Sequence, residues 1–127
     1  MALPADDTNL ETVFTGQDYY DVATEDNVFV DLITTAEYAI FEFKDQSIDA
    51  TLKASPYCVL KSSLATTEST AYLQIYNRTS GLWETITSNS TTAANTKFTL
   101  TGTFSGNPAD YYDGSFWASC RVYQLIN

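Results

Sequence analysis

The sequence contains no histidine and few basic side chains. Six lysines and arginines face sixteen aspartates and glutamates, and the net charge is −10. Without histidine the chain lacks the commonest general base and the usual ligand of zinc and iron sites. The acidic balance repels phosphate backbones, so we expect no direct contact with nucleic acid. Such a charge is typical of a soluble, outward-facing surface.

The chain also lacks a long apolar run. Its first twenty residues, MALPADDTNLETVFTGQDYY, contain neither the basic nor the apolar region of an export signal, and no stretch is long enough to cross a bilayer. Threonine and serine make up about a quarter of the chain, as in many β-proteins outside cells. Either an export signal has been removed, or the protein is made in a host cytoplasm without a signal peptide and leaves by another route, such as a virus particle.

Only two cysteines are present, Cys58 and Cys120. Both lie in apolar segments, where a free thiol behaves as a small hydrophobic side chain. We expect free buried thiols, and a disulfide between them is the alternative.

Two regions differ in composition. Residues 1–27 are acidic and polar with few apolar anchors and predict an extended N-terminal arm. An arm with so little to bury is ordered by packing on something else, such as a neighbouring subunit. Residues 28–127 alternate apolar and polar side chains and predict one folded domain.

This alternation predicts an all-β fold, a single antiparallel β-sandwich or jelly roll. Turn-forming residues separate the segments at intervals of about ten residues. About eight strands are expected, at 27–33, 37–43, 47–54, 57–64, 70–77, 82–87, 97–104 and 116–126.

The last of these strands is apolar on both faces. Ala118, Cys120 and Val122 share one face, while Trp117 and Tyr123 lie on the other. The second face is therefore expected to be covered by a loop, the arm or another subunit. Trp117 and Tyr123 are either peripheral core residues or part of a subunit contact, where aromatic residues and arginine are enriched.

The four-residue motif DYYD occurs twice, at 18–21 and 110–113. On a strand its two carboxylates would point to opposite faces and could not act together. The second copy follows Asn107 and Pro108 and precedes Gly114, so we expect Asp110 and Asp113 to cap a short helical turn. The repeat is interpreted as turn chemistry.

No other pattern predicts catalysis. Glycoside hydrolysis needs two carboxylates at a fixed separation, and among sixteen acids only Glu42 is expected to be partly buried. Calcium suits the abundant oxygen ligands better than a transition metal would, but no segment matches an EF-hand loop. We therefore predict a protein that is not an enzyme, with no catalytic residue, cofactor or metal assigned.

Exposed aromatic residues could instead stack on sugar rings. The candidates for such a glycan platform are Trp83, Tyr76 and Tyr111, with Trp117 also considered. The alternative is that Trp83 packs across a hairpin on Tyr76. Asn77 and Asn89 begin glycosylation sequons, which a threonine-rich chain also generates by chance.

Several motifs together resemble a β-sandwich module of tailed-bacteriophage virion structural proteins. They are AIFEFKDQ, AYLQIYNRTSGLWETI, FTLTG and NPADYYDGSFWASCRVYQ, within about residues 37–124. The resemblance brings no catalytic residues and implies a structural component of the virion surface. The expected role is a capsid decoration or cement protein on the head. It would bind the major capsid protein or another virion protein as an oligomer, such as a trimer. The alternatives are a tail or fibre accessory subunit, a glycan-binding module for host attachment, or a carbohydrate-binding module of a secreted enzyme.

These interpretations define a set of candidate contact residues. The interface candidates are Leu3, Leu10, Phe14, Trp117, Arg121, Tyr123 and Leu125.

Overall fold

The computed structural model describes residues 3, 5–7, 38–49, 51–53 and 55–125. The elements are β1 (Tyr38–Gln46), β2 (Tyr57–Lys61), β3 (Ala71–Asn77), β4 (Leu82–Asn89), β5 (Lys97–Thr101), a 3-10 helix (Pro108–Asp110) and β6 (Trp117–Leu125). The predicted all-β class is confirmed, although the described residues form six strands rather than about eight. No helix in this part of the chain is long and apolar enough to span a membrane.

The strands form two antiparallel sheets. The larger has four strands in the order β1–β6–β3–β4, and the smaller consists of β2 and β5. Although β6 comes last in the sequence, it lies between β1 and β3, so Cys120 pairs with Phe43 on one side and with Ile75 on the other. This central strand is paired along both edges, and residues 118–122 are buried on both of its faces, including the polar Ser119 and Arg121.

The core contains side chains from both sheets. One cluster joins Leu73 of β3 and Val122 of β6 to Phe98 and Leu100 of β5. Leu73 is completely buried, and burying a side chain of this size contributes about 1.5–3 kcal/mol. A second cluster, of Ile75, Phe104, Tyr111, Tyr112, Ala118 and Cys120, extends the core beneath the 3-10 helix. The residues after β5 therefore complete the core beside the smaller sheet.

The register between β3 and β4 shifts at Leu73/Gln74. Leu73 pairs with Thr87 and Gln74 with Thr85, so Ile86 has no partner across the ladder. Its side chain packs against both core clusters, close to Gly102, where an added methyl group would lie 2.8 Å from Ile86. The register shift thus places Ile86 in the core, and Ile86 leaves little room for a side chain at position 102.

The strand predicted at 47–54 is wrong. Its described residues form bends and a turn, and the side chain of Ile48 is 85% exposed. The Asp49 carboxylate accepts hydrogen bonds from the backbone N–H of Thr51 at 2.8 Å and from the Thr51 hydroxyl. These hydrogen bonds stabilise a local turn in place of a β-strand, which explains why the strand prediction at 47–54 failed.

The other predicted segments are confirmed as strands with shifted ends, except for 27–33. That strand and most of the predicted arm 1–27 lie outside the described residues. The arm contributes Leu3 and residues 5–7 to the described structure.

Candidate functional site

The four-stranded sheet has an outer face, which we define as its side pointing away from β2 and β5. Register places Glu42, Arg121, Gln74 and Thr85 in a row across the four strands. Alternation along each strand separates this row from the core residues Val122 and Leu73. The row is polar, yet Arg121 and Gln74 are only 5% and 8% exposed. The middle of the outer face is therefore covered, whereas Thr85 at its β4 edge is exposed.

Arg121 is held by its own chain. Its Nε donates a 2.9 Å hydrogen bond to Gln74 Oε1, and Gln74 Nε2 donates to the Thr85 hydroxyl at 3.0 Å. The guanidinium lies 4.3 Å from the Trp83 ring centre and 5.5 Å from that of Tyr123, distances typical of cation–π contacts. Burial lowers the pKa of Arg121.

The prediction of Arg121 as an interface residue is corrected accordingly. Its charge is stabilised inside the chain by an amide and two aromatic rings, and too little of the side chain is exposed to contact a partner.

Asp7 fixes the N-terminal segment to the outer face. Its Oδ2 accepts hydrogen bonds from the Ser119 hydroxyl at 2.7 Å and from Arg78 Nη1 at 2.9 Å, and Lys44 Nζ lies 3.8 Å away. Burial alone would raise the pKa of Asp7, but the hydrogen bonds from Ser119 and Arg78 outweigh it and hold that pKa below its usual range. Nothing in the sequence distinguishes Asp7 from its acidic neighbours, so sequence reasoning missed this contact.

Arg78 connects several parts of this region. In addition to Asp7, it donates to the backbone oxygens of Tyr111 and Trp117 and to the Ser119 hydroxyl, at 3.1–3.3 Å. The β3–β4 hairpin, the start of β6 and the N-terminal segment therefore meet at one guanidinium, whose fork geometry suits such multiple contacts.

Two polar atoms of the outer face are buried without a hydrogen-bond partner in the described structure. They are Glu42 Oε1 and Trp83 Nε1. Burial, followed by the negative charge of Asp7, raises the pKa of Glu42. A raised pKa favours the neutral acid, which can also donate a hydrogen bond. Glycoside hydrolysis would need a second carboxylate at a fixed distance from Glu42. The strand register does not supply one, because the residue paired with Glu42 is Arg121.

The candidate glycan platform is not assembled as predicted. Tyr76 and Trp83 face each other across the β3–β4 hairpin with ring centres 5.1 Å apart, and both are half-buried. Tyr111 lies elsewhere, because it is 2% exposed in the core and its hydroxyl donates to Glu84 Oε1 at 2.6 Å. Burial and the Glu84 carboxylate raise the pKa of Tyr111 to about 12. Tyr111 is therefore a core residue, which corrects its assignment to a sugar-binding surface.

The second DYYD motif lies in turns, as predicted, but Asp110 and Asp113 do not cap the 3-10 helix as expected. Asn107 caps the 3-10 helix by accepting from Ala109 N at 3.2 Å. The Asp110 carboxylate accepts from the Thr79 hydroxyl at 2.9 Å. The Asp113 carboxylate accepts from the backbone N–H groups of Ser115 and Trp117 at 2.9 and 3.0 Å. The two carboxylates thus stabilise different turns, while the first copy lies outside the described residues.

Both sequon asparagines have structural roles. Asn77 Oδ1 accepts from the backbone of Thr79 and Ser80 at 3.0 Å, and its Nδ2 donates to Glu84 at 2.8 Å. Asn89 Oδ1 accepts from the Thr66 hydroxyl and from Thr91 N. Of the two amide nitrogens, that of Asn77 donates a hydrogen bond within the folded chain.

The described residues contain no group of three or more histidine, cysteine, aspartate or glutamate side chains that could hold a metal ion. Cys58 in β2 and Cys120 in β6 do not form a disulfide. Burial raises the pKa of the Cys58 thiol to about 11, so it is protonated at neutral pH and a poor nucleophile.

The remaining interface candidates differ in exposure. Trp117 and Leu125 are 37% and 45% exposed, whereas Tyr123 is half-buried and stacks on Tyr72 with ring centres 5.0 Å apart. Leu3 is half-buried, and Leu10 and Phe14 lie outside the described residues. The structure brings Trp117 and Arg121 onto one face of β6 but leaves only Trp117 well exposed.

Exposed apolar side chains occur on several chain segments near the start of β6. Seven large apolar residues of the described part are exposed, and two of them, Leu82 and Leu125, lie apart. The other five are Ile48, Leu52, Tyr57, Phe116 and Trp117. Ser47 N donates to Phe116 O at 2.8 Å, which joins the turn before β6 to the segment that carries Ile48. We call these five residues the apolar end.

Phe116 has an unusual backbone. Its φ is +67°, a region that a bulky residue rarely adopts. The turn is held by Asp113, whose backbone oxygen accepts from Phe116 N and whose carboxylate accepts from Trp117 N, both at 3.0 Å. Strained residues held this firmly concentrate at functional sites. Phe116 and the residue that follows it, Trp117, are both exposed aromatic residues.

Compared with known proteins, the chain matches no family model, no curated protein and no solved structure.

Proposed function

We propose that this chain is a non-enzymatic structural protein of a virus particle. In this proposal it is a β-sandwich that decorates the outer head surface and stabilises the particle by contacts with the major capsid protein or another virion protein. It binds there as an oligomer. The virion assignment is supported by the resemblance of four sequence motifs between residues 37 and 124 to phage structural modules.

The observation that carries an attachment role is the apolar end. Exposed apolar residues scattered singly are normal, but a contiguous group marks an interaction site. Five of the seven large apolar residues that are exposed in the described part lie there. Trp117, the one well-exposed aromatic among the predicted contacts, belongs to this group.

The acidic surface is consistent with a position on the outside of a particle. A chain of net charge −10 is repelled by packaged nucleic acid and is kept soluble when it faces water. In this proposal the partner is contacted by the apolar side chains on the surface, and the acidic side chains face water.

A tail or fibre subunit that binds host glycans is the second candidate. It is favoured by the neighbouring rings of Tyr76 and Trp83 at the β3–β4 hairpin. Their ring centres are 5.1 Å apart and tilted by 50°, so they do not form one flat stacking surface. This geometry, together with the contact between Trp83 and Arg121, makes packing within the chain the better account of Trp83.

The test is immunogold microscopy of purified particles of the virus that carries this gene, with an antibody raised against the chain. We expect many labels per head. Labels confined to tails would replace the head assignment by the tail alternative. Particles that carry the chain nowhere, by labelling and by mass spectrometry of the purified virion, would refute a virion role.

An add-back experiment tests the surface itself. Particles stripped of the protein are mixed with wild-type chain, with Trp117→Ala, or with Leu82→Ala as a control that also removes an exposed apolar side chain. We expect Trp117→Ala to weaken binding at least about tenfold, which corresponds to about 1.4 kcal/mol. Equal binding of all three chains would contradict attachment through the apolar end.

A further inference from the structure

The turn that leads into β6 is connected to the N-terminal segment, residues 5–7, by a single side chain. Arg78 Nη1 donates to Asp7 Oδ2 at 2.9 Å, and Arg78 Nη2 donates to the backbone oxygen of Trp117 at 3.3 Å. The same Nη2 donates to the Ser119 hydroxyl, which in turn donates to Asp7 Oδ2 at 2.7 Å. One guanidinium therefore links the Asp7 carboxylate to the first residue of β6.

The turn at the start of β6 has a backbone that needs support. Phe116 has a φ of +67°, and a bulky residue keeps such a value only where its surroundings hold it. Trp117 N donates to the Asp113 carboxylate at 3.0 Å, and Ser47 N donates to Phe116 O at 2.8 Å. Arg78 adds a third contact through the Trp117 oxygen. This third contact is the one that also involves the N-terminal segment.

The position of the Arg78 guanidinium depends on Asp7. Its side chain is only 21% exposed, so its charge needs a partner. Among the acceptors that the described residues provide, the Asp7 carboxylate carries a negative charge, whereas the others are neutral. Those neutral acceptors are the backbone oxygens of Tyr111 and Trp117 and the hydroxyl of Ser119. Loss of the carboxylate leaves a partly buried cation without its anion, and such a group moves toward water or toward another carboxylate.

Asp113 carries a carboxylate that is influenced by the same cations as Asp7. The Trp117 N–H holds the pKa of Asp113 below its usual range, and the positive charges of Arg78 and Lys44 lower this pKa further. The same two cations lie 2.9 and 3.8 Å from Asp7. When Asp7 leaves, Arg78 is therefore drawn toward Asp113. It then competes with Trp117 N for the carboxylate that holds the turn.

We propose that the N-terminal segment acts as a latch on the turn at Phe116 and Trp117. While Asp7 is docked, Arg78 stays on the Trp117 oxygen and the turn keeps its strained backbone. When Asp7 leaves, Arg78 moves and the turn relaxes, which changes how Trp117 is presented in the apolar end. Because the apolar end is the proposed attachment surface, a regulation of attachment rests on the proposed function, whereas the latch itself rests on contacts within the chain.

The experiment records fluorine NMR spectra of the isolated full chain with fluorine-labelled tryptophan, under conditions in which the chain is folded. The chain has two tryptophans, and Trp83→Phe assigns their resonances. We expect a second Trp117 resonance, from the relaxed turn, to be at least about fivefold more populated in Asp7→Ala than in wild type, as for the loss of one hydrogen bond. The Trp83 resonance should stay unchanged. Glu68→Ala removes an exposed carboxylate and should change neither resonance. Asp7→Asn removes the charge but keeps an acceptor for Ser119, so it gives the same test if Asp7→Ala does not fold.

A glycine at position 116 separates a latch from a general loosening of the fold. Glycine adopts a positive φ without strain, so in Phe116→Gly the turn has no strain to release when Asp7 is removed. The second Trp117 resonance should therefore be no more populated in the double variant Asp7→Ala/Phe116→Gly than in Phe116→Gly alone. A variant that only destabilises the fold would not be rescued in this way.

Each other outcome overturns the latch. An unchanged Trp117 resonance in the folded Asp7 variants means that the turn does not depend on the N-terminal segment. Equal changes at Trp83 and Trp117 show a general loosening of the fold. A second resonance that persists in the double variant shows that the strain at Phe116 is not what Asp7 restrains. Because no particle is needed, a latch seen in the isolated chain together with unlabelled particles would reject the virion role and keep the latch.

Discussion

Removal of the Asp7 carboxylate is expected to destabilise the folded chain by about 3 kcal/mol. A hydrogen bond to a charged group contributes about 1.5–3 kcal/mol, and a buried donor left without an acceptor costs about 1–3 kcal/mol. Asp7 accepts such bonds from Arg78 and from Ser119, whose side chain is fully buried. Arg78 and Ser119 also bond each other at 3.1 Å, so part of the loss is recovered in Asp7→Ala.

The measurement is urea unfolding of wild type and Asp7→Ala, followed by tryptophan fluorescence. Glu68→Ala is the control, because it removes the same charge from an exposed position and should change the stability by no more than about 0.5 kcal/mol. If Asp7→Ala unfolds at the same urea concentration as Glu68→Ala, Asp7 does not hold the N-terminal segment on the outer face.

The pH dependence gives an independent check. The folded pKa of Asp7 lies below its ordinary value of 3.8, so the ionised carboxylate stabilises the fold at any pH well above 3.8. This contribution is lost as the pH falls through the lower, folded pKa. The difference between wild type and Asp7→Ala should therefore be constant from pH 7 to about pH 5 and shrink below pH 4. A difference that persists unchanged at pH 2 would mean that the charge of Asp7 is not what stabilises the fold.

Two further predictions concern the outer face and the register shift. Glu42 has a raised pKa, so its ionisation destabilises the fold above its ordinary pKa of 4.5; Glu42→Gln should be more stable than wild type at pH 7 in urea unfolding, and the gain should vanish below pH 4. A gain that is the same at both pH values would contradict this reasoning. Gly102→Ala places a methyl group 2.8 Å from Ile86 and should cost about 1–3 kcal/mol, whereas Gly114→Ala, with nothing within 4 Å, should change stability by less than about 0.5 kcal/mol. Equal melting temperatures for the two variants would show that Ile86 moves aside without cost.

Alternation was sufficient to predict β5, in which Phe98 and Leu100 are buried and the residues between them are exposed. β1 and β3 were also predicted, although both of their faces carry apolar or aromatic side chains. Alternation failed at 47–54, where Ile48 and Leu52 fit the same pattern but Asp49 forms a local turn. A short polar side chain that bonds its own backbone can override a weak alternation, and the sequence does not reveal which of the two wins.

The candidate site was harder to predict, because it depends on contacts between distant residues. Asp7 and Arg78 are separated by 71 positions, and neither belongs to a motif that indicates pairing. Trp117 and Arg121 were correctly placed on one face of β6, but Arg121 is buried by contacts with Gln74 on β3 and Trp83 on β4, which the sequence does not reveal. Tyr111 was expected at the surface because its surroundings resemble a loop. In the structure its ring packs in the core beside Phe104.

The side chain of Asn77 has a consequence for producing this protein in secretory cells. The oligosaccharide is transferred to the very nitrogen that donates to Glu84, at the turn where β3 passes into β4. In a chain modified there before this hairpin closes, a sugar replaces one amide hydrogen of Asn77, so the turn must close around a bulky group next to Glu84. The occupancy of Asn77 in such cells would therefore report how quickly the hairpin forms relative to the transferase.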